Sequence, residues 1–190
     1  IRQYNNKIKE ILNIGYCKQS LVYLHLEHNE ISRAPLENFL AENENVSYAT
    51  PCALTYLYLR YNKLPTINDS VMALLENLDT LELRNNPIID TPDVGPAHLK
   101  LRDLLISRFI LHKRIPEMIK LYRIYMHPRP AADMIDYGDV MQIDCESVRN
   151  LTALTQIYMR AMGVKAIRNL TPCLHGGATI TLDYWDNALW

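Results

Sequence analysis

The stretch LTYLYLRYNKL, from Leu54 to Leu64, repeats leucine at intervals that fit neither an α-helix nor a β-strand along its full length. Leucines stand at its first, fourth, sixth and last positions, and Asn62 stands at its ninth. A helix returns to one face every 3.6 residues and a strand every two. The two leucines that lie two residues apart therefore predict a short strand, and the asparagine after them indicates a turn.

Two further stretches have the same spacing. They are LVYLHLEHNEI, which begins at Leu21, and LDTLELRNNPI, which begins at Leu78. All three follow the pattern L-x-x-L-x-L-x-x-N-x-[I/L], for which about 0.05 chance matches are expected in a chain of this composition. The repeated unit resembles that of the leucine-rich-repeat superfamily, and in particular its short intracellular types.

The resemblance implies an α/β solenoid, with short parallel strands on the concave face and helices or irregular turns on the convex face. In the first unit, Leu24 and Leu26 would point to one side of a strand and enter the core. Asn29, Asn62 and Asn86 would satisfy backbone groups that the turns leave unpaired. In the family, such asparagines form a ladder along the solenoid.

The repeats are expected to occupy residues 21–92. Between the second and third units, NDSVMALLENL predicts a helix with Asp69 or Ser70 as its N-cap and apolar residues at helical spacing. The first unit is longer, at 33 residues from Leu21 to Leu54. That length predicts a longer helix near Ala34–Ala41, followed by a polar insertion.

Residues 1–20 are expected to form a degenerate N-terminal cap or partial repeat. The stretch ILNIGYC places Leu12, Ile14 and Cys17 at positions of the pattern. This motif lies only 12 residues before the next one, which is too short for a whole repeat.

Residues 93–130 predict a more helical and basic segment, because the asparagine motif fades there. The sequence HLKLRDLLISRFILHKRIPEMIKLYRIYM is interpreted as two helices broken at Pro116. The first helix is expected to bury Leu101, Leu104, Leu105 and Leu111, and the second Met118, Ile119, Tyr122 and Met126.

Residues 131–190 are expected to hold degenerate repeats of one of two types. Leu154, Ile157, Met159 and Val164 stand at leucine-rich-repeat spacing, and TITLDYWDNAL offers a second such motif 25 residues later. The alternative is an ankyrin-like pair, because TAL and NAL recur 35 residues apart, close to the ankyrin period. Continuity with the first half of the chain favours the leucine-rich-repeat interpretation.

The residues between the leucines are the candidates for partner binding. Family resemblance implies that they face the concave surface, where family members hold their partners. Tyrosine and arginine are the residue types that dominate protein interfaces. A non-enzymatic protein-binding scaffold is therefore the first functional hypothesis, and its predicted contact residues are Tyr23, His25, Glu27, Tyr56, Tyr58, Arg60, Tyr61, Glu82 and Arg84.

A second hypothesis rests on charge. The segment from Lys100 to Arg129 carries eight basic and two acidic side chains in a chain whose net charge is −1. Such asymmetry is typical of contact with phosphates or with an acidic protein. The alternative function is thus a subunit of a ribonucleoprotein or RNA-export assembly, which would use Lys100, Arg102, Arg108, Lys113, Arg114, Lys120 and Arg123.

The four cysteines are scattered singly, which favours reduced thiols in an intracellular protein, cytoplasmic or nuclear. No apolar run approaches the roughly 18 residues of a membrane span. A start at Ile1 instead of methionine is typical of a fragment. A third alternative is a receptor or extracellular leucine-rich-repeat protein. The absence of paired cysteine caps argues against it, and occupied N-x-S/T sequons at Asn45, Asn68, Asn150 and Asn169 would favour it.

Catalytic and cofactor motifs are sparse. The sequence contains no phosphate-binding glycine loop. The HGG at His175 is similar to the oxyanion loops of esterases, but the sequence has no G-x-S-x-G elbow to supply the nucleophile. His25 and His28 are three residues apart without clustered cysteines, which does not fit a zinc site. The sequence therefore predicts no enzymatic activity, no cofactor and no bound metal.

Overall fold

A computed structural model describes residues 1–11, 20–34, 52–67, 69–88, 100–106, 123–126, 142–143, 153–159 and 166–167. One helix, α1, spans Asp69–Leu74 in these ranges. The strands within them are β1 (Tyr23–His25), β2 (Tyr56–Tyr58), β3 (Thr80–Glu82), β4 (Asp103–Ile106), β5 (Arg123–Met126), β6 (Gln142–Ile143), β7 (Gln156–Met159) and β8 (Ala166–Ile167).

Six of these strands form one parallel sheet in the order β1-β2-β3-β4-β5-β7. Neighbouring strands pair in the register that the repeat predicts, since Leu24 lies beside Leu57 and Leu57 beside Leu81. Strands β6 and β8 pair in parallel as a separate two-stranded sheet. The sequence prediction of a solenoid built on short parallel strands is confirmed at this level.

The core lies on one side of the large sheet. Leu24, Leu57, Leu81 and Leu104 are aligned across β1–β4, and each is at most 1% exposed. Because side chains alternate along a strand, the residues on either side of each leucine face away from the core. The leucines thus fix which side chains form the opposite, concave face.

The three asparagines form the expected ladder, and all are buried. The side-chain amide of Asn62 donates to the Leu26 carbonyl of the preceding repeat at 2.8 Å and to the Leu59 carbonyl of its own repeat at 3.0 Å. Its oxygen accepts the Ile31 amide at 3.0 Å. Asn29 and Asn86 repeat this arrangement, so each asparagine joins one repeat to the previous one.

Each turn reverses the chain through one left-handed residue directly before the asparagine. These residues are His28, Tyr61 and Asn85, with φ values of 55°, 56° and 58°. The left-handed region is unfavourable for residues other than glycine, and for an aromatic residue such as Tyr61 in particular. The conformation is the same in all three turns, so it is a requirement of the repeat.

The first eleven residues add a turn of the same kind in front of β1. Arg2 pairs in parallel with His25, and the Asn5 amide donates to the Glu27 carbonyl at 3.0 Å. Asn5 has a φ of 56°, and Asn6, the next residue, lies 23 residues before Asn29. The pattern of this turn therefore runs through Asn6, whereas the positions assigned to Leu12, Ile14 and Cys17 lie outside the described residues.

Helix α1 forms on the convex side, where the sequence predicts it. Val71, Leu74 and Leu75 are at most 3% exposed, in agreement with their helical spacing. Of the second predicted helix, Ala34–Ala41, the described residues include only Ala34, which is buried.

The prediction of two helices within residues 93–130 is wrong where the structure describes that segment. Residues 103–106 form β4 and residues 123–126 form β5, both in the parallel sheet. The physical reason is a repeat without its asparagine: Leu101, Leu104 and Ile106 keep the leucine spacing, while Phe109 occupies the asparagine position. The predicted burial of Leu105 also fails, because Leu105 lies on the other side of the strand and is partly exposed.

The C-terminal segment joins the same sheet through β7. This strand pairs with β5 in parallel, and Leu154 before it is 3% exposed. A strand at this place agrees with the leucine-rich-repeat alternative for residues 154–159, and not with an ankyrin-like helix start. The motif that begins at Thr179 lies outside the described residues.

The prediction that all four cysteines are reduced is wrong. Cys52 is 2% exposed and takes part in a disulfide bond. Its partner must be one of the other three cysteines, all outside the described residues. Scattered spacing failed as a guide because folding can bring together two cysteines that lie far apart in the sequence.

Candidate partner-binding surface

Aromatic side chains from β1 and β2 pair across the concave face. The rings of Tyr23 and Tyr56 are stacked with centroids 4.5 Å apart and an interplanar angle of 1°. His25 stacks on Tyr58 at 4.3 Å. Each pair consists of directly opposed residues of neighbouring strands, which is where cross-strand side chains are in closest contact.

A third pair follows in the turns after the strands, where His28 stacks on Tyr61 at 4.3 Å. We call these six side chains the aromatic ladder: Tyr23, His25, His28, Tyr56, Tyr58 and Tyr61. Tyr23 is 50% exposed and Tyr61 36%. Stacking holds the rings in place while it leaves their edges open to solvent.

Arg60 lies against the ladder. Its guanidinium carbon is 4.6 Å from the Tyr61 ring centroid, and its Nη2 donates to the Tyr61 hydroxyl at 3.2 Å. Its buried Nε has no hydrogen-bond partner among the described residues. Glu27 occupies the position of Arg60 in the preceding repeat, and its Oε1 lies 3.4 Å from His25 Nδ1. Its Oε2 is buried and has no hydrogen-bond partner in the part of the chain that the structure describes.

Glu82 and Arg84, two of the predicted contact residues, form an ion pair with each other. Glu82 is 4% exposed, and Arg84 Nε donates to both of its carboxylate oxygens, at 2.8 and 3.0 Å. Arg84 Nη2 and the Arg84 backbone amide donate to the same carboxylate. Residues two apart in an extended chain point to the same side. The Glu82 carboxylate and the Arg84 guanidinium therefore neutralise each other within the chain.

Carboxylates surround the tyrosines of β2. The pKa of Tyr56 is raised chiefly by the negative charge of Asp79. Burial is the main cause that raises the pKa of Tyr58, with Tyr56, Glu27, Asp103 and Glu82 adding to it. Both phenols therefore stay protonated to a higher pH than an ordinary tyrosine.

The sequence prediction missed several positions on this face. Asp103 continues the row of Tyr23, Tyr56 and Thr80, and Leu105 continues the row of His25, Tyr58 and Glu82. In the strand register, Tyr125 is paired with Leu105 and Tyr158 is paired with Tyr125. The signal was the leucine spacing of β4 and β5, which a search that requires the asparagine does not find.

The structure brings together only part of the predicted basic patch. Lys100 Nζ donates to Asn77 Oδ1 at 2.5 Å, and Arg102 lies 3.8 Å from Asp79. Arg123 lies in β5, beside Asp103 in register. The remaining predicted residues lie outside the described ranges: Arg108, Lys113, Arg114 and Lys120.

Among the described residues, no group of three or more histidine, cysteine or acidic side chains is arranged to hold a metal ion. No helix in the described ranges is both long and apolar enough to cross a membrane.

The repeated strand and turn, the in-register parallel sheet and the buried asparagine ladder define the chain as a leucine-rich-repeat protein. It is similar to a probable U2 small nuclear ribonucleoprotein A' of Caenorhabditis elegans, with 28% identity over 148 residues that cover 76% of this chain and 52% of the relative.

It is also similar to fibromodulin of Sus scrofa and of Oryctolagus cuniculus, with 37% identity in each case over 86 residues, 45% of this chain and 52% of each relative. The chain thus spans about half the length of the curated relatives it matches. These relatives are themselves leucine-rich-repeat proteins. No protein-family model matches the chain.

The left-handed turn at Tyr61 makes a first prediction. Glycine adopts this conformation without strain, so Tyr61→Gly is expected to change the free energy of unfolding by less than about 1 kcal/mol, because relief of the backbone offsets the lost stacking. Tyr61→Val, a β-branched residue, is expected to cost about 2 kcal/mol. Urea unfolding followed by circular dichroism measures both, and equal losses would show that the turn does not select against side chains.

Proposed function

We propose that the chain is a non-enzymatic protein-binding module whose partner docks on the concave face. The observation that carries this proposal is the aromatic ladder, with Arg60 fixed against it. The similarity to two kinds of leucine-rich-repeat protein supports a module of this type.

The ladder suits binding for an energetic reason. Association costs free energy for each flexible side chain that becomes ordered, about 0.5–1.5 kcal/mol. Tyr56, Tyr58 and Tyr61 are already held by stacking, so a partner orders them at little further cost. Their phenol groups add hydrogen-bond donors to a large apolar area, a combination that is enriched in interface hot spots.

Paired affinity capture tests the proposal. Removal of two hot-spot side chains costs at least about 2 kcal/mol in binding, so Tyr56→Ala/Arg60→Ala should weaken capture of a specific partner at least about 30-fold. The matched control is Lys63→Ala/Thr66→Ala, which removes exposed side chains beyond the turn. Loss of the partner in the control but not in the test variant would place binding away from the concave face.

A second candidate function is a subunit of a ribonucleoprotein, which the similarity to a small nuclear ribonucleoprotein component favours. In this case the basic residues from Lys100 to Arg123 would contact RNA phosphates. Titration of a single-stranded RNA at increasing salt separates the two functions. Phosphate contacts give a steep fall of affinity with salt, and a binder of proteins alone gives no RNA affinity to titrate.

The redox state of Cys52 distinguishes two cellular compartments. Similarity to a nuclear ribonucleoprotein component supports an intracellular location, whereas the Cys52 disulfide favours an oxidising compartment. Alkylation of free thiols before cell lysis, followed by mass spectrometry of the Cys52 peptide, decides between them. An alkylated Cys52 indicates a reducing compartment, and a peptide cross-linked through Cys52 indicates an oxidising one.

A further inference from the structure

A cleft of about 540 Å³ lies where β2, β3 and β4 begin. We call it the edge cleft, and it is lined by Ala53, Thr55, Asn77, Asp79, Lys100 and Arg102. We propose that the edge cleft is a subsite in which Lys100 and Arg102 bind an acidic side chain of the protein partner. This proposal rests on the proposed function, because the cleft adjoins the concave face.

The repeat itself builds the cleft. Its lining residues are the neighbours of Leu54, Leu78 and Leu101, the first leucine of three consecutive units, and each of these leucines is fully buried. Residues on either side of an inward-pointing residue point outward together. Lys100 and Arg102 therefore lie on the same side of the chain.

Backbone hydrogen bonds join the segments that line the cleft. The Asp79 amide donates to the Thr55 carbonyl at 2.8 Å, and the Arg102 amide donates to the Asp79 carbonyl at 2.8 Å. This ladder continues directly into the paired strands β2, β3 and β4. The backbone beside the cleft is thus part of the same hydrogen-bonded sheet as the docking face.

The two cations keep donors for a ligand. Lys100 Nζ has three hydrogens, and its hydrogen bond to Asn77 Oδ1 uses one of them. The Arg102 side chain is 60% exposed and lies 3.8 Å from Asp79, too far for a strong hydrogen bond. Two cations thus face one carboxylate, and the cleft carries an excess of one positive charge.

The charge distribution favours a single acidic group over a nucleic acid. A carboxylate brings one negative charge and can bridge an ammonium and a guanidinium group. A nucleic acid would place a row of phosphates along this edge of the sheet, where Asp79 precedes β3 and Asp103 begins β4. Repulsion from these carboxylates opposes such a row.

Continuity with the aromatic ladder connects the cleft to the proposed docking face. Thr55, on the cleft floor, precedes Tyr56 directly. Asp79 and Arg102 both lie near enough to the Tyr56 phenol to affect its pKa, in opposite directions. A partner segment that lies on Tyr56 can therefore place an acidic side chain in the cleft.

The test uses the full chain and a blocked peptide of alternating glycine and glutamate, with the glutamine analogue as the neutral probe. Nuclear magnetic resonance of the ¹⁵N-labelled chain follows the amides of Thr55, Asp79 and Arg102. The glutamate peptide is expected to shift these amides and the glutamine peptide is not. Lys100→Gln/Arg102→Gln should weaken binding about tenfold.

Two variants sharpen the test. Lys7→Gln/Lys9→Gln removes the same charge from exposed residues of the first turn and should leave the affinity within about twofold. Asp79→Asn removes the carboxylate that competes for Arg102, and it should tighten binding about threefold. If the peptide is attracted only to positive charge in general, the two double variants will lose the same affinity for it. That result would overturn the subsite.

Other outcomes also decide. If the peptide affinity is unchanged in Lys100→Gln/Arg102→Gln while partner capture still depends on Tyr56 and Arg60, the subsite is wrong and the proposed function stands. If partner capture is unchanged in Tyr56→Ala/Arg60→Ala while the peptide affinities change as expected, the subsite stands and the docking face is wrong. If oligouridylate binds the cleft more tightly than the glutamate peptide, the ligand is a nucleic acid and the proposal is overturned.

Discussion

Asn62→Ala is expected to lower the free energy of unfolding by about 3 kcal/mol. A domain of ordinary size is stable by about 5–15 kcal/mol, so one exchange on a turn would remove a large share of the total. The expectation follows from the place of Asn62 in the middle of the asparagine ladder, where it bonds to two repeats at once.

The Asn62→Ala substitution affects the surrounding backbone groups unequally. The Leu26 carbonyl keeps the amide of Asn29, and the Leu59 carbonyl keeps the amide of Asn86. The Ile31 amide has Asn62 Oδ1 as its acceptor, so alanine leaves a buried donor unpaired. Such an orphan costs about 1–3 kcal/mol, and each of the two weakened carbonyl contacts adds about 0.5–1.5 kcal/mol.

Asn6→Ala is the matched control for this prediction. Asn6 occupies the same position in the first turn, but it is exposed, and its amide donates to the Tyr4 carbonyl of its own turn. Its loss is expected to cost less than about 1 kcal/mol, because water replaces an exposed partner. Urea unfolding of both variants gives the comparison, and similar losses would mean that the ladder does not stabilise the stack.

The parts of the fold that the sequence predicted share one property: the local pattern and the burial agree. Leu57 and Leu59 enter the core as their spacing indicates, and Asn62 satisfies the turn as its chemistry indicates. The first turn was missed because Gln3 stands in a leucine position before Asn6. A pattern search loses such a repeat, whereas the hydrogen bonds of the sheet still include it.

The candidate site was predictable by position but not by pairing. The sequence placed Tyr56 and Tyr58 on the concave face, and the structure adds that each stacks on a side chain 33 residues earlier in the chain. The structure also pairs Arg84 with Glu82, so these two charges of the predicted surface compensate each other. Contacts of this kind depend on rotamers and neighbours, which spacing alone does not determine.

Strand β4 offers the sharpest difference between the helical interpretation and the observed strand. A helix would bury Leu104 and Leu105 together, as the sequence interpretation expected. In the strand they point to opposite sides, with Leu104 fully buried and Leu105 partly exposed on the concave face. Leu104→Ala is therefore expected to lower the free energy of unfolding by about 3–4 kcal/mol, through lost apolar burial and the cavity that remains.

Leu105→Ala is the control within the same strand, and it should cost less than about 1 kcal/mol, because the side chain is only partly removed from water. Urea unfolding with circular dichroism compares the two variants. Equal and large losses in the free energy of unfolding would favour the helical interpretation over the strand. The two leucines also separate stability from binding. Leu105 continues the row of His25 and Tyr58, so its loss should weaken partner capture in a protein that remains folded. A Leu105→Ala protein that keeps both its stability and its partner would show that the docking surface ends before β4.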